Sequence, residues 1–116
     1  MNTFGQYIRK IREEKYEIDK TFSLRQVAQR IQVEPSYLSK IERGDEKPSE
    51  KTIKNLAQEL HLDENILLAM EGKISQDLQD IILKNPVIFA QLLKVLQNSP
   101  EDALLRIVQE VKDGNW

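Results

Sequence analysis

The sequence predicts an all-α fold. Apolar residues recur at three- and four-residue spacing along most of the chain, and no stretch alternates apolar and polar residues for long enough to indicate a β-strand. Residues that favour helix starts, namely Ser, Asp and Pro, and glycines that favour helix ends separate these stretches. With 116 residues and no cysteine, the chain is long enough to form one compact domain, or one domain with a short appendage, without disulfide bonds.

Two helices are expected before residue 32. The first runs from Phe4 to Ile18, both of which belong to its apolar face, while Arg12 lies among charged residues on the other face. A polar connection follows it. Ser23 is a good cap residue for the start of the second helix, which turns Ala28 and its apolar neighbours inward.

Three further helices follow at short intervals. Glu34-Pro35 starts the third, because proline is favoured at the first position of a helix, and Gly44 ends it. Ser49 is a cap residue for the fourth helix. The fifth begins at Asp63 and ends near Gly72, so the first part of the chain is expected to hold five helices.

The chain changes character after residue 72, where basic residues become rare but the helical pattern continues. The expected helices are 75–84, 86–97 and 100–112. Asn85-Pro86 and Ser99-Pro100 each combine a cap residue with a proline at the first helical position. We therefore expect a domain at residues 1–72 and a helical C-terminal extension at 73–116.

Residues 22–44 carry the most informative pattern. Two short helices pack closely at a steep angle only where a small side chain lies at their contact, and Ala28 provides one. The apolar residues around it are Val27, Ile31, Val33, Leu38 and Ile41. The outer face of the helix that starts at Pro35 carries hydroxyl and basic groups and no aspartate: Ser36, Tyr37, Ser39, Lys40 and Arg43. Such a face fits the major groove of DNA.

Residues 4–70 resemble the helix-turn-helix family of phage repressors and Cro, the XRE type. Residues 23–28 are similar to the family's opening helix, and residues 37–44 closely resemble the end of its recognition helix. Pro48-Ser49, followed by Leu56-Ala57, matches its fourth helix. The resemblance implies a five-helix, lambda-repressor-like domain that binds double-stranded DNA sequence-specifically, usually as a dimer on a two-fold operator and usually to repress transcription.

The resemblance also implies roles for individual residues. The expected base-reading residues are Ser36, Tyr37, Lys40 and Glu34. Lys40 could donate to guanine O6 and N7, and Glu34 could accept from cytosine N4. The residues expected to contact phosphates are Arg25, Ser39, Arg43 and Lys47. The alternatives are that Lys40 and Arg43 are ordinary solvated charges and that Tyr37 packs in the core.

The sequence departs from the family pattern at the turn and at the start of the recognition helix. Leu24 stands where many members have a glutamine that contacts phosphate, and Pro35 stands where polar base-reading residues are frequent. Gln32 replaces the glycine that is common in the turn. We therefore expect Gln32 to adopt a left-handed backbone conformation, which is uncommon outside glycine.

The two last helices predict a homodimer. Both are apolar around most of their circumference and must be buried, but about 45 residues are too few to enclose them. The expected dimerisation residues are Phe89, Leu92, Leu93, Leu96, Leu104, Ile107, Val108 and Val111. The alternative is that the extension enlarges the core of a monomer.

Other functions find less support in the sequence. Residues 1–60 carry 12 Lys and Arg against 10 Asp and Glu, and this small excess disfavours purely electrostatic, nonspecific DNA binding. His61 has no second histidine or cysteine near it, so a metal site is not expected, and His61 is interpreted as a helix-terminal residue. No other cofactor is expected. No catalytic arrangement indicates an enzyme. The remaining alternative is an antitoxin or interaction protein whose C-terminal helices bind a protein partner, with DNA binding for autoregulation.

The chain is expected in the cytoplasm, with no membrane partner. No apolar run approaches the roughly 18 residues that a membrane-spanning helix needs. The first residues lack the basic stretch and apolar block of a secretory signal.

Overall fold

The computed structural model describes residues 3–114, and all of their regular structure is helical. The helices are α1 (Thr3–Ile18), α2 (Leu24–Arg30), α3 (Pro35–Arg43), α4 (Glu50–Leu60), α5 (Glu64–Met70), α6 (Gln76–Lys84), α7 (Pro86–Leu96) and α8 (Glu101–Asp113). A 3-10 turn, Lys20–Phe22, lies between α1 and α2. The predicted all-α fold is confirmed, since residues 3–114 contain no strand. In the same range, no helix is both long and apolar enough to cross a lipid bilayer.

The helix ends follow the predicted start and stop residues. Ser23, Ser49 and Asp63 cap α2, α4 and α5 with side-chain oxygens that accept backbone N–H groups of the first turn. Such a cap contributes about 1 kcal/mol to a helix. Gly44 ends α3 with φ 84°, in the left-handed region that glycine adopts without strain. These caps fix the bounds of helices that are too short to be stable alone.

Helices α1 to α5 enclose one hydrophobic core. Its buried apolar residues are Phe4, Ile8, Val27, Ala28, Ile31, Leu38, Ile41, Ile53, Leu56, Ala57, Leu60, Leu67 and Leu68. Helix α1 packs against α3, α2 packs against α3, and α4 packs against α5. Helix α1 ends at Ile18, as predicted, but the assignment of Ile18 to the apolar face that packs on the core was wrong, because its side chain is 92% exposed.

The chain divides between Ser75 and Gln76 into two compact units. The first contains α1 to α5, and the second contains α6 to α8. In the second, α6 packs against α7, and none of the three helices has a buried residue. The predicted start of the last helix was wrong by one residue: Pro100 occupies the cap position, and the Ser99 hydroxyl instead donates to Val95 O at 3.1 Å.

Candidate nucleic-acid interface

A tight turn joins α2 to α3. The Val33 N–H donates to Ala28 O at 2.9 Å, and the Ala28 side chain is fully buried between the two helices. Gln32 has φ 61°, so the predicted left-handed conformation is confirmed. This conformation costs a non-glycine residue about 1 to 2 kcal/mol, which the packing on both sides of the turn offsets. The turn therefore holds α2 and α3 in one arrangement.

Helix α3 has a buried face and an exposed face. Leu38 and Ile41 have no exposed surface and belong to the core. Ser36 and Lys40 are exposed, and Ser39 is half-buried. Neither the Ser36 hydroxyl nor the Lys40 ammonium makes a hydrogen bond or an ion pair with any residue that the structure describes. The fold leaves both groups available to a ligand.

A buried ion pair that the sequence pattern did not predict fixes the inner side of α3. Arg12 and Glu42 are 8% and 5% exposed, with Nε to Oε2 at 2.7 Å and Nη2 to Oε1 at 3.0 Å. Arg12 Nη1 also donates to Phe22 O at 3.2 Å. The hydrogen bonds to Glu42 raise the pKa of Arg12 above its ordinary value, although burial opposes the shift.

The assignment of Arg12 to the solvated face of α1 was therefore wrong. A buried arginine is tolerated where a carboxylate pairs with it through two hydrogen bonds and a carbonyl takes a third. All three contacts are present, and they join α1, α3 and the 3-10 turn at one point. Little in the sequence indicated that Arg12 is buried, because an arginine counts as polar in any hydropathy pattern.

Helix α1 also approaches the backbone of α3 closely at Gly5. A β-carbon on Gly5 would lie 2.3 Å from Ile41 O and 2.8 Å from Glu42 O, whereas real contacts of this kind do not fall below 3.0 Å. Only glycine permits this approach. Gly5 and Arg12 thus hold the same end of α3. In the sequence, this close approach was indicated by a glycine inside an otherwise good helical pattern.

The cations expected to contact phosphates are on the surface of the first unit. Arg25 and Lys47 are exposed, and neither makes an ion pair with a residue in the described range. Arg43 Nε lies 3.2 Å from Asp45 Oδ2, with both side chains more than half exposed. An exposed pair of this kind contributes about 0 to 1 kcal/mol and is screened by salt. Arg43 can therefore exchange Asp45 for a phosphate at little cost.

Tyr37 connects α3 to the start of α4. Its half-buried ring packs against the core, and its Oη accepts a long hydrogen bond of 3.4 Å from the Ser49 N–H. These contacts favour the packing role of Tyr37 over base reading.

A cleft of about 270 Å³ lies beside the start of α3. Arg25, Gln29, Val33 and Pro35 line it. Gln29 was missed by the sequence reasoning, although it stands four residues after Arg25 and therefore on the same face of α2. Arg25 and Gln29 both line this cleft.

The residues expected to form a dimer are in α7 and α8, and none of them is buried. Leu92, Leu93, Ile107, Val108 and Val111 are 41% to 55% exposed. Phe89, Leu96 and Leu104 are half-buried. Both helices therefore present apolar side chains to solvent.

The described residues 3–114 contain no group of three or more His, Cys, Asp or Glu side chains placed to bind a metal ion. His61 ends α4 with φ 57°, in the helix-terminal position expected for it.

Comparison with known proteins gives one result. The family model described as "Helix-turn-helix domain" matches residues 3–67, which span α1 to α4 and most of α5. Searches of curated proteins and of solved structures give no match. Because the family model covers more than half of the 116 residues and includes the α2–turn–α3 unit, the chain belongs to the helix-turn-helix family of DNA-binding domains.

Proposed function

We propose that this chain is a sequence-specific transcriptional regulator of the XRE, phage-repressor and Cro type, which represses by occupying an operator. The observation that carries the proposal is the outer face of α3, where the Ser36 hydroxyl and the Lys40 ammonium have no partner among the described residues 3–114. Directly behind them, Leu38 and Ile41 are completely buried. A short, rigidly backed helix with free polar groups is what major-groove reading requires.

In this proposal the side chains around α3 divide into two sets. Lys40 donates to guanine O6 and N7, and Ser36 bonds a neighbouring base edge. The phosphate-contacting set fixes register without reading sequence, and it consists of Arg25, Ser39, Arg43 and Lys47. Tyr37 is left to hold α3 against α4.

The test starts with selection of bound fragments from random duplex DNA, which is expected to return a two-fold symmetric consensus. On that operator, Lys40→Ala is expected to cost about 1 to 3 kcal/mol and to relax the preference at one position of each half-site. Arg43→Ala should weaken all sequences similarly and reduce the slope of log affinity against log salt by about 1. Lys10→Ala, at an exposed lysine of α1, is the control for loss of one positive charge. Selection without a consensus would refute the proposal.

We also propose that α7 and α8 form a homodimer, which would place two copies of α3 about 34 Å apart on one face of the duplex. The supporting observation is that three helices of 9, 11 and 13 residues contain no buried side chain. Isolated helices of this length are marginal in water, so their apolar faces need a partner.

Sedimentation equilibrium tests the dimer. We expect a dimer for the wild-type chain and a monomer for Leu93→Asp, with loss of tight binding to the inverted repeat but not of weak binding to a half-site. Gln91→Asp, at an exposed neutral position of α7, is the matched control for the introduced charge. A wild-type monomer that binds one inverted repeat specifically would refute the dimer. It would favour the alternative in which these helices cover a protein partner, as in an antitoxin.

A further inference from the structure

Helix α8 carries an apolar stripe that its own unit leaves uncovered. The stripe consists of Leu104, Ile107, Val108 and Val111, which stand at positions i, i+3, i+4 and i+7. The last three are 41% to 55% exposed, although a stripe of this spacing is typical of a helix packed on one side. Within residues 76–114, α6 packs against α7, whereas α8 packs closely against neither. The α8 stripe therefore lacks a partner helix in this part of the chain.

The side of α8 away from the stripe has its own partners. Arg106 Nη2 lies 3.7 Å from Asp102 Oδ2, and both side chains are strongly exposed. One turn further on, Gln109 Nε2 donates to Asp113 Oδ1 at 2.9 Å. Pairs at i and i+4 of this kind are typical of a solvated helix face. The charged face of α8 is thus suited to water, and a partner is needed only on the opposite side.

Two further charges lie along one edge of the α8 stripe. At about 100° per residue, Glu101 in the first turn and Lys112 in the last turn both project next to Val108. Both are exposed, and neither makes an ion pair with a residue that the structure describes. They are about 16 Å apart along the helix axis, which is too far for them to pair with each other.

These two charges favour a second α8 that runs in the opposite direction. An antiparallel copy would bring Lys112 of each chain close to Glu101 of the other, at both ends of the helix pair. A parallel copy would bring each charge next to its own equivalent, where like charges repel. The macrodipoles of two helices also favour the antiparallel arrangement. The charge pattern of α8 is therefore complementary to itself in one direction only.

The exposed apolar surface of the second unit is large enough for a stable interface with a second copy. Nine Val, Leu and Ile residues of α7 and α8 are 41% to 70% exposed. At roughly 100 Å² each, they present about the 800 Å² per partner that a typical stable interface buries. The α8 stripe alone supplies less than this, so α7 must contribute the remainder.

Resting on the dimer of the proposed function, we infer that α8 packs antiparallel against α8 of a second copy, about a two-fold axis that passes between Ile107 and Val108. Leu104 of one chain then packs against Val111 of the other, and Val108 lies beside its own equivalent. A two-fold interface requires this reciprocity. The same axis relates the two copies of α3, as binding to an inverted repeat requires.

Cysteine cross-linking tests this arrangement, because the chain contains no cysteine of its own. Full-length Val108→Cys should form a disulfide-linked dimer on mild oxidation, since residues beside the axis come within the about 4.4 to 6.8 Å between Cα atoms that a disulfide spans. Leu104→Cys and Val111→Cys should not cross-link separately, because each lies about 10 Å from its own equivalent along the axis. An equimolar mixture of these two variants, combined under reducing conditions and then oxidised, should cross-link. Arg106→Cys, on the charged face, is the control and should stay unlinked.

A charge exchange tests the ends of the helix pair. Glu101→Lys and Lys112→Glu should each raise the dimer dissociation constant about 2- to 5-fold at low salt, and the double variant should restore the wild-type value. Two single effects that added in the double variant would contradict the pairing of these residues.

The outcomes separate this inference from the proposed dimer. Cross-linking of Leu104→Cys and Val111→Cys each with itself, and not in the mixture, would show a parallel pair and overturn the inference. A wild-type dimer in sedimentation, with no cross-link in any cysteine variant of wild-type circular dichroism, would also overturn it while leaving the proposed dimer in place. Failure of the proposed dimer would instead appear as a wild-type monomer.

Discussion

Substitution of Gly5 by alanine tests how α1 positions α3. Alanine is the better helix former by about 0.5 to 1 kcal/mol, so helix propensity alone predicts a stabilised protein. The structure predicts the opposite, because the new β-carbon would meet Ile41 O at 2.3 Å and Glu42 O at 2.8 Å. Both of these atoms belong to the backbone of α3 and cannot rotate away.

The magnitude follows from the displacement that the methyl group requires. Reaching ordinary contact at 3.4 Å moves α1 from α3 by about 1 Å. Overpacking of this kind costs about 1 to 3 kcal/mol. The same movement lengthens the Arg12–Glu42 hydrogen bonds, now 2.7 and 3.0 Å, beyond hydrogen-bonding distance. After the gain in helix propensity is subtracted, we expect the free energy of unfolding to fall by about 2 to 4 kcal/mol.

Thermal unfolding followed by circular dichroism measures this loss. For the unit that contains α1 to α5, we expect the Tm of Gly5→Ala to fall by about 10 to 20 °C. Gln6→Ala is the control, since Gln6 is exposed on the same turn of α1, and its Tm should stay within about 3 °C of the wild type. A Tm for Gly5→Ala equal to or above the wild type would show that the close approach of α1 to α3 is not present in solution.

Two further predictions concern the charged groups around α3. Glu42→Gln should lower the free energy of unfolding, measured in urea, by about 3 to 5 kcal/mol, because it leaves the Arg12 guanidinium buried without its partner. The double substitution Arg12→Met and Glu42→Leu should recover most of this loss. A Glu42→Gln chain as stable as the wild type would contradict the prediction. Asp45→Asn should tighten binding to all DNA sequences about 2- to 5-fold in a mobility-shift titration at low salt, since it releases Arg43 and removes a negative charge. The effect should vanish at high salt, and a change in base preference would argue against a pure phosphate contact.

The sequence was sufficient where structure is determined by neighbours along the chain. Ser23 and Ser49 were predicted as caps, Asp63 and Gly44 as a helix start and a helix end, and Gln32 as left-handed; each acts within a few residues of itself, and the structure has each in that place. Their chemistry is local, because a side-chain oxygen caps the next turn and a positive φ reverses the chain at one position. The all-α fold follows from the same local rules.

The sequence was insufficient where a contact joins distant residues. Arg12 and Glu42 are 30 positions apart, and each reads as an ordinary solvated charge until the fold brings them together. The sequence does not show that Gly5 lies against the backbone carbonyls of α3, because that contact forms only in the folded chain. Ile18 shows the converse error, since its apolar character predicted burial at a helix end that extends past the core.

The two faces of α3 separate the residues that stabilise the fold from the residues proposed to read DNA. Substitutions on its inner side, at Leu38, Ile41 or Glu42, remove packing or an ion pair and must act first on the free energy of unfolding. Substitutions at Ser36 and Lys40 remove groups that have no partner in the part of the chain that the structure describes, so they should leave the Tm almost unchanged. If α3 reads DNA, the substitutions at Ser36 and Lys40 should alter base preference without lowering stability. The substitutions at Leu38, Ile41 and Glu42 should reduce affinity only in proportion to the fraction of unfolded chain. A Lys40→Ala chain that lost stability and kept its base preference would place α3 among the structural helices.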